Sequence, residues 1–396
     1  MKIAIAHFGT YFVGMPGGVE KITCEFASAL AERGHEVTIL YRDGKEGDPY
    51  FPLDKRVKEH NILFDHGRQI ISEKLPLGLR ILREGARLFS QKEAQAINAR
   101  YKGRQYGRQI AAWLLAHPVD VIVSCSIPST KYVIDDAGSQ VPLVQMIHAD
   151  PAVQFAHLSE VEKQAAARTK VMQILLPSGL AAAKTYFPHL PMTVIGNAIA
   201  PAEKMARLAE EKEHYVIACV GNVCDRKNQR LLADAFAGLA GEFPQWSVEF
   251  WGGDGSRYAR QLKDHIRQKS MKNIFVKGGT KEVDAVYAHS DVFCLPSKSE
   301  GFPLAVGEAM AAGLPCVGLS SCFGVKDLID DGKTGFLTEG TVESLQAALR
   351  KLMTDRALRV AMGEEGKKRI AAYVPEKIWD EWEKLLTEVA RTVSEA

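Results

Sequence analysis

The order of apolar and polar residues along the chain predicts alternating strands and helices. In the first half, an apolar run at 2–8 is followed by a glycine-rich turn at 14–18, a helical pattern at 19–33 and another apolar run at 36–41. A strand, a glycine turn, a helix and a strand within about 40 residues form a βαβ unit, which predicts a parallel sheet. Later strands of this half are predicted at 119–124, 143–148, 174–177 and 192–195.

The same alternation begins again at residue 215, which predicts a second domain of the same class. Its strands are predicted at 215–221, 247–251, 274–277, 292–296, 315–318 and 335–337, and its first helices at 228–241 and 258–269. A charged segment at 201–213 has no strand character and predicts a linker. The fold class expected is therefore α/β, with two doubly wound Rossmann-like domains facing a central cleft, where the carboxyl ends of the strands bind a ligand.

Composition limits the classes of function. The chain has 396 residues, of which 46% are hydrophobic and 25% charged, as in soluble proteins with large cores, and its net charge of +2 gives no reason to expect a nucleic-acid partner. Seven cysteines without a C-x-x-C pair predict reduced thiols in the cytoplasm rather than disulfides or zinc. We expect neither a signal peptide nor a spanning helix, because the first residues lead directly into a strand and no run of about 18 apolar residues occurs.

The segment at 296–313, PSKSEGFPLAVGEAMAAG, carries the clearest candidate chemistry. Glu300 and Glu308 are separated by seven residues, so that one carboxylate precedes a predicted helix and the other lies within it. Both could therefore face one ligand, one near each end of it. The alternative is an amphipathic helix with two solvated glutamates, and the residues around the pair favour the functional interpretation.

The start of that helix is a candidate anion site. Pro303 suits the first turn of a helix and Gly313 suits the position just after its end. Neither Gly301 nor Phe302 can cap the helix with a side chain, so its first amides lack a local partner and could hold a phosphate.

This spacing, with Glu-Gly-Phe-Pro at its start, resembles the E-x7-E signature of family-four retaining glycosyltransferases, which have the two-Rossmann-domain GT-B fold. The segment at 220–229 resembles the loop of that family in which an arginine and a lysine clasp the donor diphosphate. Lys227 matches the lysine, whereas Asn222 stands where the family has arginine, so that an amide replaces a charge. Arg226 is a candidate replacement, although neighbouring side chains on a loop commonly diverge.

The resemblance implies transfer of a sugar from a nucleoside diphosphate, with a UDP-sugar favoured, and retention at the anomeric carbon. It implies that Glu308 holds the ribose and Glu300 the sugar, and that Lys227 and the amides of Leu304 and Ala305 stabilise the departing diphosphate. Gly253, in a turn at 252–255, would line the donor cleft. No D-x-D set suggests a metal, and no cofactor is expected.

In the first half, Gly17 and Gly18 open a helix soon after the first strand and have the backbone freedom for close approach to a phosphate. Their spacing is not G-x-G-x-x-G, and Asp43 is the only support for a nicotinamide dinucleotide site, so we interpret the pair as donor-binding, as the resemblance implies. His148 follows a predicted strand and matches the family's histidine beside the reacting carbon, and Asp150 is a candidate acceptor-binding group.

The resemblance covers nearly the whole chain and sets the expected organisation. We predict a first domain at 1–200 that binds the acceptor, a second at 201–372 that binds the nucleotide sugar, and a C-terminal helix at 373–396 that returns to the first domain. The amphipathic pattern of that helix would equally fit packing on the second domain.

The expected partners are the donor and a glycan or lipid-linked acceptor, in bacterial cell-surface polysaccharide or glycolipid synthesis. The segment at 68–108 holds ten basic and three acidic residues interleaved with apolar ones, which is typical of either a solvated helical face or a surface for anionic lipid, and we favour peripheral binding to the inner face of the cell membrane. Two alternatives remain: a nucleotide-sugar hydrolase or epimerase on the same fold, and a non-catalytic donor-binding subunit of a membrane complex.

Overall fold

The computed structural model divides the chain into two compact units. Unit 1 comprises Met1–Ile174, Leu180–Ile195 and Trp379–Ala396, and unit 2 comprises Leu175–Gly179 and Gly196–Ile378. The structure describes residues 1–72 and 74–394; the side chains of Lys92, Gln95 and residues 392–394 lie outside this description.

A parallel seven-stranded sheet with the strand order β3-β2-β1-β6-β7-β8-β9 forms the centre of unit 1. Its strands are β1 Lys2–His7, β2 Glu36–Tyr41, β3 Lys58–Asn61, β6 Val121–Ser124, β7 Leu143–Met146, β8 Val171–Ile174 and β9 Met192–Val194, and an antiparallel pair is formed by β4 Phe64–Asp65 and β5 Arg68–Gln69. Its helices are α1 Gly18–Glu32, α2 Leu77–Arg87, α3 Gln91–Ala116, α4 Ile127–Lys131, α5 Pro151–Ala156, α6 Glu160–Ala166 and α7 Gly179–Tyr186.

Unit 2 contains a parallel six-stranded sheet with the order β12-β11-β10-β13-β14-β15. Its strands are β10 Tyr215–Val220, β11 Trp246–Trp251, β12 Ile274–Gly278, β13 Val292–Leu295, β14 Cys316–Leu319 and β15 Gly335–Thr338. Its helices are α8 Gln229–Ala237, α9 Arg257–Gln268, α10 Val283–His289, α11 Leu304–Ala311, α12 Phe323–Leu328, α13 Val342–Thr354 and α14 Arg356–Ile370, and α15 Pro375–Ser394 leads from this unit into unit 1.

Both sheets have a topological switch point, where the chain order of neighbouring strands reverses. In unit 1 it lies between β1 and β6, and in unit 2 between β10 and β13. Loops that follow strands on either side of such a point diverge and leave a crevice, which is where open parallel sheets bind ligands. The predicted α/β class with two doubly wound, Rossmann-like halves is confirmed.

The unit boundaries differ from the predicted domains in two places. Leu175 and Leu176 are buried in the hydrophobic core of unit 2, and the Ser178 amide donates to Asp327 of that unit, so this short segment does not belong with the first half as predicted. The predicted strand at 174–177 is observed at 171–174, because the apolar run of 174–176 continues beyond the strand. The break near residue 200 falls instead between Ile195 and Gly196.

The C-terminal part of α15 packs against α1 within unit 1. Trp379 and Trp382 lie against Phe26, with ring centroids 5.9 Å and 4.9 Å away. Arg33, just after α1, holds Asp380 at 3.0 Å and also contacts Glu383. The apolar stripe of α15 therefore completes the core of unit 1 rather than covering solvent-facing surface.

Candidate functional site

The loops that follow β10 and β13 meet at a buried carboxylate, that of Glu300, which is 8% exposed. One of its oxygens, Oε1, lies 2.8 Å from Lys227 Nζ and 2.8 Å from Arg226 Nη1. Since β10 and β13 flank the switch point of unit 2, this ion cluster stands where such a sheet is expected to bind its ligand.

Charge compensation decides the ionisation state of Glu300. Burial alone would raise its pKa, because a carboxylate loses hydration when it leaves water. The charges of Lys227 and Arg226 outweigh burial and hold the pKa of Glu300 below its ordinary value. The carboxylate is thus an anion at neutral pH, in contact with two cations that could instead face a diphosphate.

A short 3-10 turn at Asp225–Lys227 brings the two cations together. The two neighbouring side chains do not diverge, because both lie against Glu300, which keeps Arg226 a candidate replacement for the missing arginine. The Arg226 guanidinium also donates to the Ser299 carbonyl at 2.7 Å, and the Arg226 carbonyl accepts from the Lys298 amide at 2.8 Å. These bonds join the loop after β10 to the loop after β13.

The helix that follows Glu300 begins one residue later than expected. Pro303 is the N-cap of α11 and its side chain makes no capping bond. The Leu304 amide, expected to lack a local partner, donates to the Phe302 carbonyl at 2.9 Å in a tight turn. Gly313 follows the C-cap with a φ of +84°, as predicted for the residue that ends this helix.

Close packing around Gly301 holds the loop in place. A Cβ on Gly324, in α12, would lie 2.7 Å from the Gly301 carbonyl oxygen, and the Gly324 amide donates to the Glu300 carbonyl at 3.1 Å. Phe302 packs edge-on against Tyr373, with ring centroids 5.2 Å apart. Gly324 is a supporting residue that no sequence pattern indicated.

Glu308 lies on α11, and its Oε2 accepts a hydrogen bond of 2.9 Å from the Tyr287 hydroxyl. Tyr287 is buried on α10, and burial together with Glu308 raises its pKa well above the usual value, so it remains a donor. The tyrosine fixes the orientation of the glutamate. No sequence pattern predicts this contact, because α10 and α11 are separated by a strand and a loop.

Two glycine turns pair with each other beside the cations. The Asn222 side-chain oxygen accepts from the Gly253 amide at 3.2 Å, and the Val223 amide donates to the Gly253 carbonyl at 2.8 Å. Gly252 has a φ of +142°, and a Cβ there would lie 2.3 Å from the Gly221 carbonyl oxygen. Asn222 thus braces the turn that contains Gly253, a bond that an arginine could not accept.

The remaining candidates lie in unit 1. Gly17 is the N-cap of α1, and a Cβ on it would come within 1.8 Å of Glu20 Oε2, so the structure gives the side chain of Glu20 as one reason for glycine at this position. Gly18 has open space where a Cβ would stand. Asp43 accepts the amides of Phe12 and Val13, which assigns it a role in holding this loop.

His148 follows β7 and has an enclosed Nε2 atom that makes no hydrogen bond to a described residue. Burial, reinforced by the charge of His7, lowers the pKa of His148 to about 4, so the imidazole is neutral at pH 7. Asp150 caps α5 by accepting the Ala152 amide at 2.9 Å. This structural role was not foreseen for Asp150, which we had assigned only to the acceptor.

No group of three or more histidine, cysteine, aspartate or glutamate side chains in the described part of the chain is arranged to hold a metal ion. The described residues at the switch point of unit 2 instead form an ion cluster, that of Glu300 with Lys227 and Arg226.

Family models match almost the entire chain. The model described as Glycosyltransferase Family 4 matches residues 16–203, and the model described as Glycosyl transferases group 1 matches residues 202–369. The chain therefore belongs to the glycosyltransferases of family four, as the E-x7-E segment indicated.

Two of the relatives found by sequence comparison are named as glycosyltransferases. An uncharacterized glycosyltransferase of Haemophilus influenzae is 25% identical over 94% of this chain and 97% of its own length. The UDP-Gal:alpha-D-GlcNAc-diphosphoundecaprenol alpha-1,3-galactosyltransferase of Escherichia coli is 29% identical over 44% of this chain and 48% of its own.

Solved structures share the fold over its full length. Sucrose-phosphate synthase from Thermosynechococcus elongatus superposes with a TM-score of 0.78 at 18% identity, over 99% of both chains. The pneumococcal O-GlcNAc transferase GtfA, solved with UDP and GlcNAc, gives a TM-score of 0.75 at 13% identity, over 98% of this chain and 99% of its own. The fold is that of the GT-B glycosyltransferases.

The lowered pKa of Glu300 makes stability depend on pH. A carboxylate whose pKa is lower in the folded state contributes stability above its unfolded pKa, about 4.3 for glutamate, and this contribution is lost as the pH falls through the folded value. Glu300→Gln should therefore lower the free energy of unfolding by about 2 kcal/mol at pH 7, and by progressively less below about pH 4. Urea unfolding at each pH measures this difference.

The matched control is Glu388→Gln, at an exposed position on α15. It should change the unfolding free energy little at any pH. A difference between wild type and Glu300→Gln that stays constant from pH 7 to pH 3 would contradict the assigned ion cluster.

Proposed function

We propose that this glycosyltransferase moves a sugar from a nucleoside diphosphate to a hydroxyl group with retention at the anomeric carbon and without a metal ion. The observation that carries the proposal is the pair of cations on one buried carboxylate at the switch point of unit 2. A diphosphate can replace Glu300 as the partner of Lys227 and Arg226, because both cations are already held in place and half of the Arg226 side chain is exposed.

We assign the donor-site residues the roles that the family resemblance implies. Lys227 and Arg226 bind the diphosphate, together with the Ala305 amide at the start of α11, whereas the Leu304 amide can take part only by giving up its bond to the Phe302 carbonyl. Glu308, oriented by Tyr287, accepts hydrogen bonds from the ribose hydroxyls. Glu300 accepts them from the transferred sugar once the diphosphate has drawn its cations away. The remaining donor-site residues are Asn222, Gly253, Gly301, Phe302 and Pro303, which form and support the surrounding loops.

In unit 1, Gly18 contributes backbone to the donor side, with Gly17 before it as the N-cap of α1, His148 contacts the sugar near its reacting carbon, and Asp150 contributes to the acceptor side. A neutral imidazole suits His148, because it can exchange hydrogen bonds with sugar hydroxyls and does not attract the diphosphate.

The chemistry needs no enzymatic nucleophile. The acceptor oxygen forms its bond to the anomeric carbon on the face from which the diphosphate oxygen departs. The bond between that carbon and the diphosphate oxygen breaks, and the acceptor's hydroxyl proton passes to the leaving oxygen. Negative charge grows on the diphosphate during this step, so fixed cations lower the barrier.

A UDP-sugar is the favoured donor, and a glycan or a lipid-linked sugar is the favoured acceptor. Support comes from GtfA, whose structure contains UDP and GlcNAc, and from the E. coli relative, whose name specifies a UDP-sugar and a diphosphoundecaprenol acceptor. We infer a role in bacterial cell-surface polysaccharide or glycolipid synthesis.

Lys227→Ala should lower turnover by roughly 100-fold or more, the scale expected when one aimed donor is lost from a site that stabilises developing charge. The assay offers a panel of UDP-sugars, with and without an acceptor, and measures the rate at which UDP is released. Lys272→Ala removes an exposed lysine from the same unit and should retain the wild-type rate.

A Lys227→Ala variant with a near-normal rate would refute the assigned site. Release of UDP without acceptor would instead identify a hydrolase, and a changed sugar without release would identify an epimerase. Tight UDP-sugar binding with no turnover on any acceptor would identify a non-catalytic subunit.

We also propose that α2 docks unit 1 onto an anionic lipid surface. Every residue of this helix is described, and none of them is buried. At 3.6 residues per turn, Leu77, Ile81 and Leu88 share one face, and they are 68%, 66% and 83% exposed. Phe89 beyond the helix is 90% exposed. In the part of the chain that the structure describes, no helix is long and apolar enough to cross a membrane.

The charges on α2 favour an anionic lipid as its partner. Arg80, Arg83 and Arg87 lie on a second face of α2, and Glu84 is the only acidic residue of the helix. An apolar face bordered by arginines matches the boundary between acyl chains and anionic head groups. Lys92 of the basic segment lies outside the described side chains.

Vesicles of phosphatidylcholine with and without phosphatidylglycerol test this surface by co-sedimentation. The triple change Arg80→Gln/Arg83→Gln/Arg87→Gln should weaken binding to anionic vesicles more than tenfold, since each basic residue near such a surface contributes about 1 kcal/mol. The control Lys384→Gln/Arg391→Gln removes two exposed charges from α15 and should bind normally. Equal binding of the triple variant and wild type would refute the docking surface.

A further inference from the structure

A buried group of polar side chains lies at the switch point of unit 1. His7 ends β1 and is 1% exposed, and Glu20 in the first turn of α1 is 5% exposed. Thr23, one turn further along α1, contacts Cys125, which follows β6, at 3.6 Å. The group therefore connects the strands on both sides of the crevice with the start of α1.

Hydrogen bonds connect the members of this group. The Thr23 hydroxyl donates its proton to the Val19 carbonyl at 2.8 Å, and the Thr10 hydroxyl donates its proton to Glu20. Each hydroxyl oxygen also faces a ring nitrogen of His7, Nδ1 at 3.3 Å and Nε2 at 3.0 Å. His7 therefore lies between the two hydroxyl groups, with one ring nitrogen facing each of them.

The carboxylate of Glu20 is the anionic member of this group. Its Oε1 lies 3.5 Å from His7 Nε2. Burial alone would raise the pKa of Glu20, but the hydrogen bonds from His7 and Thr10 outweigh burial and lower the pKa. Glu20 is thus a buried carboxylate held by hydrogen bonds, and removing one of its partners should cost stability.

The carboxylate also occupies the place of a side chain at Gly17. A Cβ on Gly17 would come within 1.8 Å of Glu20 Oε2, so the carboxylate would have to move. Its other oxygen, Oε1, accepts from Thr10 and lies near His7, so such a movement would disturb those contacts. Gly18, by contrast, has no atom near the position of a Cβ and remains open.

We propose that Glu20 is a positioning residue for the transfer reaction. Held by Thr10 and His7, its carboxylate restricts the backbone at Gly17, so that Gly18 is presented to the ligand in one conformation. Position 17 is thus a glycine because the Glu20 carboxylate occupies the place of a side chain, and not because the ligand contacts it. The inference rests on the proposed function, because the reaction that it supports is glycosyl transfer.

A double-mutant cycle of Gly17→Ala and Glu20→Ala tests this assignment. Each single change should lower kcat/KM by roughly tenfold, the scale of losing one hydrogen bond to a charged group. In the Glu20→Ala background there is no carboxylate to displace, so adding Gly17→Ala should cost less than about threefold more. The melting temperatures should show the same non-additivity.

Two further variants and one binding measurement make the result specific. Glu20→Gln keeps an oxygen that can accept from Thr10 but loses the charge, so its kcat/KM should fall between those of wild type and Glu20→Ala. Gly44→Ala adds the same methyl group in unit 1 where no atom lies within 4 Å, and it should behave as wild type. The dissociation constant of UDP, measured by calorimetry, should change less than about threefold in all variants, because Lys227, Arg226 and Glu308 remain in place.

Different outcomes would overturn different parts of the inference. If the effects of Gly17→Ala and Glu20→Ala on kcat/KM multiply, Gly17 serves the ligand directly and the assignment fails. If Glu20→Ala lowers the melting temperature but leaves kcat/KM intact, Glu20 is structural only. A wild-type protein without transferase activity would overturn the proposed function and the catalytic part of this inference, whereas additive melting temperatures would overturn the Gly17–Glu20 contact alone.

Discussion

The proposed donor site of unit 2 depends on one interaction, the contact of the buried Glu300 carboxylate with two cations. A carboxylate that is 8% exposed remains ionised only if cations replace its lost hydration, and Lys227 and Arg226 supply that compensation from the loop after the neighbouring strand. The ion cluster thereby joins the loops on either side of the switch point. Gly324 and Phe302 then fix the start of α11 beside it.

This arrangement connects structure with chemistry. In the proposed reaction, a diphosphate binds Lys227 and Arg226, the cations that compensate Glu300 in this structure, and the carboxylate becomes available to sugar hydroxyls. In unit 1 a similar principle operates with different residues, since the buried carboxylate of Glu20, in contact with Thr10 and His7, lies at the start of α1. In each unit, buried charge at a switch point holds a glycine-containing loop near the carboxyl ends of the strands.

Periodicity predicted most of the fold because strands and helices follow from local patterns. The strand at 36–41 and the helix end at Gly313 were predicted at their observed positions. The strand predicted at 174–177 was displaced, because Leu175 and Leu176 are buried in the core of unit 2. An apolar run shows that residues are buried, but it does not show which core buries them.

The candidate site also contains some residues that the sequence predicted and some contacts that only the structure shows. Glu300, Glu308 and Lys227 could be selected from spacing and family resemblance, since those features lie in continuous segments. The contacts of Arg226 with Glu300, Tyr287 with Glu308 and Glu20 with Gly17 could not, because each depends on how loops or turns meet in three dimensions. Asn222 shows the limit most clearly: the sequence indicated a missing charge, whereas the structure shows an acceptor for the Gly253 amide.

A crystal structure of the protein bound to a UDP-sugar tests the central claim most directly. The account predicts a diphosphate oxygen within about 4 Å of Lys227 Nζ, the usual limit of an ion pair, with the ribose at Glu308 and the sugar at Glu300. A diphosphate bound away from the start of α11, with Lys227 and Arg226 still on Glu300, would contradict it.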